Sequence, residues 1–220
     1  GYQYFYILNG IAWQQQSTNP VGSGNIDKIE IDPTDPNTIY VGTGDPNISG
    51  FPFLGDGIYK STDAGITWNH IGLTDQRIIS HVKVHPLNPN LIYAAAMGLP
   101  FQKNNERGLY KSTNGGQTWQ QVYFASDSAG VIDLILNPAD TNVVYISSWN
   151  RIRNNSKSLT WGPDCLILKS TDAGQAWQPI MNGIPNAGIL SRISIEMSGT
   201  NPNLLYASVI DSTYDIQGIY

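Results

Sequence analysis

Four carboxylates lie in long, irregular segments of the chain where a site could form: Asp45, Asp56, Glu106 and Asp164. Two carboxyl groups about 5–10 Å apart can hydrolyse a glycosidic bond, one as acid and the other as base or nucleophile. An Asp after Gly-Thr-Gly, as at Asp45, is also a common acceptor for the N–H groups of a turn. The sequence therefore leaves the catalytic residues unassigned, with Asp45, Glu106 and Asp164 as the candidates.

Aromatic and guanidinium side chains are concentrated in the segment 147–164, and two phenylalanines in neighbouring segments extend the aromatic set. Such groups can stack on a sugar ring or fork a carboxylate. In the alternative interpretation, the tryptophans pack beneath the loop and the arginines are solvated. We expect Trp149 and Arg151 to be dispensable for stability. The predicted ligand-binding residues are Trp149, Arg151, Arg153, Trp161, Phe53 and Phe101.

The sequence contains no recognisable metal-binding or cofactor-binding motif, so no metal or cofactor is predicted. The segment 32–37 is rich in carboxylate and amide oxygens but lacks EF-hand spacing. The histidines His70, His81 and His85 share no ligand spacing and are interpreted as ordinary strand or turn residues. Phosphate-binding loops and nucleophile elbows are also missing from the sequence.

One octapeptide organises the chain, with copies at 61–68, 112–119 and 170–177 that share the pattern Ser-x-Asp/Asn-x-Gly-x-x-Trp. The closing tryptophans are 51 and 58 residues apart. Each copy lies between two short β-type runs, and its glycine accepts a positive φ, so it is predicted to be a hairpin turn. We interpret the following residues as structural: Ser61, Asp63, Gly65, Trp68, Ser112, Asn114, Gly116, Trp119, Ser170, Asp172, Gly174 and Trp177.

A second, proline- and asparagine-rich motif recurs in phase with the octapeptide, at 32–40, 85–93, 137–145 and 198–206. Proline cannot donate to a β-ladder, so each copy is predicted to be a turn between two strands. Each unit then has four strands, A to D, which is one blade of an all-β propeller with antiparallel blades. The predicted units are complete blades at 25–71, 78–123 and 131–180, the end of a blade at 1–18 and the start of another at 190–220.

The chain is therefore expected to be a fragment of a propeller, with the remaining blades of the same polypeptide as its neighbours. In a four-stranded blade the A–B and C–D turns lie on one face of the disc, and the variable B–C loops lie on the other. We call the latter the loop face, and irregular loops on a rigid scaffold are where binding usually occurs. Its predicted loops are 44–56, 97–107, 147–164 and 209–217.

Composition narrows the choice of partners and location. Charged residues make up 13% of the chain and the net charge is −5, which argues against nucleic acid or an anionic membrane surface as a partner. No apolar run reaches membrane-spanning length, so membrane insertion is not expected. The turn-rich, lysine-poor sequence suits an extracellular, cell-surface or periplasmic protein.

The octapeptide is identified as an Asp-box, also called the bacterial neuraminidase repeat. Over residues 25–210 the chain resembles secreted bacterial propellers described as sortilin-like or "glycosyl hydrolase", some of which are type IX secretion substrates. The segments that carry the resemblance are 40–45, 55–63, 106–113, 130–134 and 148–153.

The resemblance limits the chemistry that can be expected. Sialidase-type members use an arginine triad and an Arg-Ile-Pro motif, but this sequence has no Arg-Ile-Pro and its five arginines do not recur at one blade position. Xyloglucan-cleaving members place an Asp just after a B strand, at about the position of Asp45. We expect a bacterial, secreted or cell-surface module that binds or scaffolds protein or glycan through the loop face. The alternatives are an Asp-box glycoside hydrolase, with its carboxylates on that face, and an assembly factor.

Overall fold

The computed structural model describes residues 5–9, 12–16, 26–48, 53–184 and 189–220. Over these ranges the chain forms strands and turns without any helix, and hence without a helix able to cross a membrane. The strands pair in antiparallel sheets that follow chain order, as in the blades of a propeller. The predicted all-β propeller fragment is confirmed.

The strands fall into successive units along the chain. The first unit is the hairpin of β1 (Phe5–Asn9) and β2 (Ala12–Gln16). The first blade contains β3 (Ile26–Ile31), β4 (Ile39–Thr43), β5 (Ile58–Ser61) and β6 (Asn69–His70). The second blade contains β7 (Ile79–His85), β8 (Asn88–Ala96), β9 (Gly108–Ser112) and β10 (Gln120–Tyr123).

The third blade carries an extra hairpin in its B–C loop. Its strands are β11 (Ala129–Leu136) and β12 (Val144–Asn150), the hairpin strands β13 (Ile152–Arg153) and β14 (Ser158–Leu159), and then β15 (Ile167–Ser170) and β16 (Gln178–Pro179). The fourth blade has three strands: β17 (Leu190–Met197), β18 (Leu205–Asp211) and β19 (Ile216–Ile219).

Apolar side chains fill the space between consecutive blades. Between the first and second blades, Tyr40, Ile58 and Ile79 belong to one buried cluster. A second cluster, between the second and third blades, includes Tyr93 and Val144. Strands buried on both faces are expected for sheets that stack side by side, and all five residues of β4 are buried.

Polar side chains join the A strands, the first strand of each blade, of neighbouring blades. Lys83 Nζ on β7 lies 3.0 Å from Glu30 Oε2 on β3. Asp133 on β11 approaches His81 Nε2 to 3.3 Å and accepts the backbone N–H of Ile195 on β17 at 3.0 Å. Burial, together with nearby lysines, lowers the pKa of His81 to about 3, and burial raises the pKa of Asp133. The second ring nitrogen, Nδ1, lies 3.1 Å from the carbonyl of Ile132, so the His81 ring links the second and third blades through both of its nitrogens.

Each octapeptide forms a turn that is closed by hydrogen bonds among its own residues. In the first copy, Ser61 Oγ accepts the N–H of Gly65 at 2.8 Å and donates to Asp63 Oδ1 at 2.8 Å. Asp63 also accepts the N–H and the hydroxyl of Thr67. The Trp68 indole N–H donates to the Gly65 carbonyl at 3.1 Å. The turn needs two successive residues with positive φ, which are Ala64 with φ 58° and Gly65 with φ 87°.

Lysines that precede the octapeptides reach across to the next blade. Lys60 Nζ donates to the Gly115 carbonyl at 3.3 Å, and Lys111 Nζ donates to the Ala173 carbonyl at 2.8 Å. The acceptor in each case is the residue before the turn glycine of the following copy. The repeated Lys in Lys-Ser-Thr therefore contributes to blade stacking.

Two details differ from the sequence expectation. In the second blade the predicted proline-asparagine turn shrinks to two residues, because His85 pairs with Asn88 and the ring Nδ1 of His85 accepts the N–H of Leu87. In the third blade β12 runs on to Asn150, which pairs with Ala129, so the loop predicted at 147–164 begins four residues later.

Candidate functional site

A cleft of about 270 Å³ opens where loops of the first, third and fourth blades meet. The B–C loops contribute to it, so it lies on the loop face. Asn47 comes from the first blade, and its Oδ1 accepts a hydrogen bond from the guanidinium of Arg192, on β17, at 2.5 Å. We call this site the Trp149 cleft, and its walls include Asn47, Trp149, Arg151, Arg153, Arg192 and Tyr214.

Trp149 forms the buried side of the cleft. It lies near the end of β12 and is only 6% exposed. Its indole N–H donates to the Thr160 carbonyl at 2.7 Å. The guanidinium carbons of Arg151 and Arg192 lie 5.3 and 5.7 Å from its ring centroid. Two cations within 6 Å of one indole are favourable cation–π contacts, and they leave little of the ring open to a ligand.

Arg151 ties the extra hairpin to the first blade. It is 3% exposed and donates to the carbonyls of Ile48 at 2.6 Å and Leu159 at 3.2 Å. Burial lowers the pKa of Arg151, and the Arg153 guanidinium lowers it further, while Tyr214 and Asp45 act in the opposite direction. Both side chains are buried and hydrogen-bonded, which argues against the expectation that Trp149 and Arg151 are dispensable for stability.

Tyr214 and Arg192 are cleft residues that sequence reasoning missed. Tyr214 lies in the β18–β19 turn, is 65% exposed, and its hydroxyl is 3.1 Å from Thr160 Oγ1. Arg192 lies on β17, the A strand of the fourth blade, and is partly buried. The only available signal was the position of Tyr214 in the fourth predicted B–C loop. Nothing local in the sequence places Arg192 beside Trp149.

The other predicted aromatic residues do not line this cleft. Trp161, Phe53 and Phe101 are 44%, 58% and 38% exposed, respectively. The carbonyl of Phe101 accepts a hydrogen bond from the Asn154 side chain at 3.0 Å, so the second and third loops contact each other. Arg153, on β13, is the remaining predicted residue and does line the cleft. The structure thus brings together Trp149, Arg151 and Arg153, and leaves the three exposed rings outside the walls.

Two of the candidate carboxylates are held by groups around their own loops. Asp45 Oδ1 accepts the N–H of Asn47 at 3.0 Å. Asp164 Oδ2 accepts the hydroxyl of Ser126 at 2.7 Å and the amide of Asn150 at 3.0 Å. Asp45 lies close to the cleft, because it shares a tight turn with Asn47, which is part of the wall.

The remaining acidic candidates lie at the ends of their loops. Asp56 accepts the hydroxyl of Tyr59 at 2.7 Å. Glu106 is adjacent to the buried Arg107, whose pKa is lowered to about 10 by burial, with Asp127 and then Glu106 acting in the opposite direction. Across the described parts of the chain, no three His, Cys, Asp or Glu side chains are arranged to hold a metal ion.

Arg107 is a second buried arginine that organises a loop, a role that no local sequence pattern indicates. Its guanidinium donates to the carbonyls of Met97 at 2.8 Å, Leu99 at 3.0 Å and Gln102 at 3.2 Å. Charge-assisted hydrogen bonds to backbone carbonyls fix the path of an irregular loop. Arg107 in the second blade and Arg151 in the third therefore make the loop face rigid.

Comparison with known families identifies the chain. Residues 56–193 match the family model Sortilin-Vps10, described as "Sortilin, neurotensin receptor 3". This match covers more than half of the sequence. The chain belongs to the Sortilin-Vps10 family. The predicted sortilin-like Asp-box propeller is thereby confirmed.

This Sortilin-Vps10 chain is also similar to curated enzymes. Xyloglucanase Xgh74A from Acetivibrio thermocellus is 28% identical over 162 residues, which cover 70% of this chain and 17% of that protein. A xyloglucanase from Hypocrea jecorina is 30% identical over 146 residues, which cover 64% of this chain and 16% of that protein. The chain thus spans about a sixth of the length of the curated relatives it matches.

Among solved structures, the chain is similar to the GH74 xyloglucanase from Xanthomonas campestris. The superposition has a TM-score of 0.62 at 17% sequence identity and covers 91% of this chain and 30% of that one. At this identity the likeness concerns the fold, which is a propeller. Together with the curated relatives, it makes this Sortilin-Vps10 chain a propeller related to glycoside hydrolases.

Proposed function

We propose that the chain is part of a glycoside hydrolase that acts on a polysaccharide, and that the Trp149 cleft contacts the sugar chain. The observation that carries the proposal is the cleft itself, where an indole, three guanidinium groups and an exposed tyrosine meet on the loop face. The similarity to xyloglucanases supports a polysaccharide as substrate. Such a substrate is met outside the cell, so we place the protein in the extracellular space or at the cell surface.

The chemistry of the cleft suits a sugar ring. Tyr214 is exposed and amphipathic, so its ring offers an apolar face to the C–H groups of a pyranose. Arg153 and Arg192 are partly buried, and their guanidinium N–H groups can donate hydrogen bonds to the oxygens of sugar hydroxyls. The rigid backing by Trp149 and Arg151 reduces the entropy lost when a ligand orders the loop.

Asp45 is the carboxylate of this chain that we assign to the reaction. It lies in the same turn as Asn47, which lines the cleft, and it is close enough to act on the pKa of Arg151. Hydrolysis requires a second carboxyl group, which in a propeller would come from a different blade. Asp164 is less suited, because Ser126 and Asn150 both donate to the same carboxylate oxygen.

A binding module without catalysis is the second candidate function. The observation that favours it is the use of Asp45, Asp56 and Asp164 as acceptors for nearby backbone and side-chain groups of the protein. Such a module would hold a glycan or a protein on the loop face, and cleavage would not follow.

A matched pair of turns provides the experiment. Asp35-Pro-Asn37 and Asp45-Pro-Asn47 have the same sequence, and each Asp accepts the N–H of its Asn, at 3.1 and 3.0 Å. Only the second turn adjoins the cleft. The purified protein is assayed for reducing ends released from xyloglucan, as wild type, Asp45→Asn and Asp35→Asn. Loss of a general acid or base lowers the rate by about 100-fold or more, so we expect this for Asp45→Asn alone.

The other outcomes separate the two candidates. Equal rates for the two variants would overturn the role of Asp45. Binding of xyloglucan without any release of reducing ends would establish the binding module instead. A protein that neither binds nor cleaves polysaccharide would overturn the proposed function as a whole.

A further inference from the structure

The Trp149 cleft has a charge opposite to that of the chain. The whole sequence carries a net charge of −5, yet the described residues of the cleft wall include Arg151, Arg153 and Arg192 and no carboxylate. Asp45 is near enough to stabilise the charged form of Arg151, but it lies outside the wall. The excess of positive charge in the cleft is therefore local, and it is only partly compensated by the protein.

The arginines are close to one another. The guanidinium groups of Arg151 and Arg192 flank the same indole ring within 6 Å. Arg153 is near enough to disfavour the charged state of Arg151. Like charges held together by buried hydrogen bonds raise the local positive potential, and a bound anion relieves it.

Donor capacity remains in the cleft after the internal hydrogen bonds are made. Arg151 Nε has no hydrogen-bond partner among the described residues but is buried away from a ligand, whereas Arg192 has one terminal nitrogen engaged by Asn47 and retains further donors. A guanidinium offers five N–H donors in a planar fork that fits a carboxylate. A neutral sugar hydroxyl would use one donor at a time and leave the charge uncompensated.

We infer that the Trp149 cleft selects a carboxylated polysaccharide, one whose uronate groups are forked by Arg192 and Arg153 while Tyr214 stacks on a neighbouring ring. The inference rests on the proposed function, because it names the substrate class of the same cleft. The overall negative charge of the chain would repel such a polymer elsewhere, so the cleft would also determine where it binds.

The test compares two probes that differ only in charge: xyloglucan oligosaccharides, and the same oligosaccharides with their primary hydroxyls oxidised to carboxylates. Affinities are measured by calorimetry for wild type, Arg192→Gln, Arg153→Gln and Lys157→Gln. Lys157 is exposed in the β13–β14 turn, outside the cleft wall, so its variant removes one positive charge from the same loop without touching the site.

Wild type is expected to bind the oxidised probe about tenfold more tightly than the neutral one, and less so at high salt. Arg192→Gln and Arg153→Gln should each reduce this preference severalfold, because they weaken binding of the oxidised probe more than binding of the neutral one, whereas Lys157→Gln should retain it. Equal affinity for both probes overturns the inference and leaves the proposed function intact. A preference lost equally in Lys157→Gln also overturns it, since the effect would then be a general one of charge. Binding of neither probe overturns both.

Discussion

The indole N–H of Trp119 donates to the carbonyl of Ile71, 2.8 Å away in the preceding blade. The next octapeptide repeats the contact, since Trp177 donates to the carbonyl of Val122 at 3.0 Å. The ring of Trp119 also packs, partly buried, against the apolar cluster between the first two blades. The closing tryptophan of an Asp-box thus both fills the space between blades and makes a directional bond across it.

This dual role can be separated by two substitutions. Trp119→Phe retains a ring but removes the donor, and we expect it to lower the free energy of unfolding by about 1 kcal/mol. Trp119→Ala also removes the packed ring and should cost about 3 kcal/mol, at the low end for tryptophan because the side chain is only partly buried. Urea denaturation measures both losses of unfolding free energy, provided that the m-value is the same in the variants and in wild type. If Trp119→Phe were as stable as wild type, the bond to Ile71 would contribute nothing.

Acid sensitivity should arise in part from the first Asp-box. Hydrogen bonds from the hydroxyl and N–H of Thr67, and from Ser61, favour the charged carboxylate and lower the pKa of Asp63 from 3.8 to about 2. A carboxyl group whose pKa is lower in the folded than in the unfolded state stabilises the fold at pH values above its unfolded-state pKa. That stability is lost as the pH falls from about 4 to about 2, where the folded carboxylate takes up its proton.

The second Asp-box shows which variant isolates this effect. Asn114 occupies the position of Asp63, and its amide accepts the N–H of Thr118 and donates to the Thr118 hydroxyl. Asp63→Asn should therefore keep the turn at pH 7 and remove part of the stability loss between pH 4 and pH 2. Unfolding free energies measured across that range give the answer. Identical pH profiles for variant and wild type would show that Asp63 does not contribute.

Buried arginine in the loop face should behave as a structural residue. Arg151→Ala removes charge-assisted hydrogen bonds to Ile48 and Leu159, so we expect a loss of about 2–3 kcal/mol in unfolding free energy. Arg153→Ala, at a partly exposed position two residues on, is the matched control and should change stability by less than about 0.5 kcal/mol. Thermal melting of the two variants distinguishes them. Equal stability would mean that the buried contacts of Arg151 are not needed.

The sequence predicted the fold well because its signals are local. The octapeptide 61–68 needs two adjacent residues with positive φ, Ala64 and Gly65, and side chains that bond within the turn, so its structure follows from adjacent residues. Trp149 was harder to interpret, because strand pairing with the A strand carries β12 through to Asn150 and buries the indole. Its neighbour Arg192 could not have been found in this way. The contact of Arg192 with Asn47 joins residues 145 positions apart and depends on how the blades are arranged.

Hydrogen exchange with and without xyloglucan oligosaccharide tests most directly whether the Trp149 cleft holds the sugar chain. Ligand contact slows exchange of the amides that it orders or covers. The account predicts slower exchange in segments 45–48, 151–160 and 212–215 of the loop face. It predicts no change in the octapeptide turns 61–67, 112–118 and 170–176 on the opposite face. Slowing confined to the octapeptide turns, with the loop segments unaffected by a bound oligosaccharide, would contradict it.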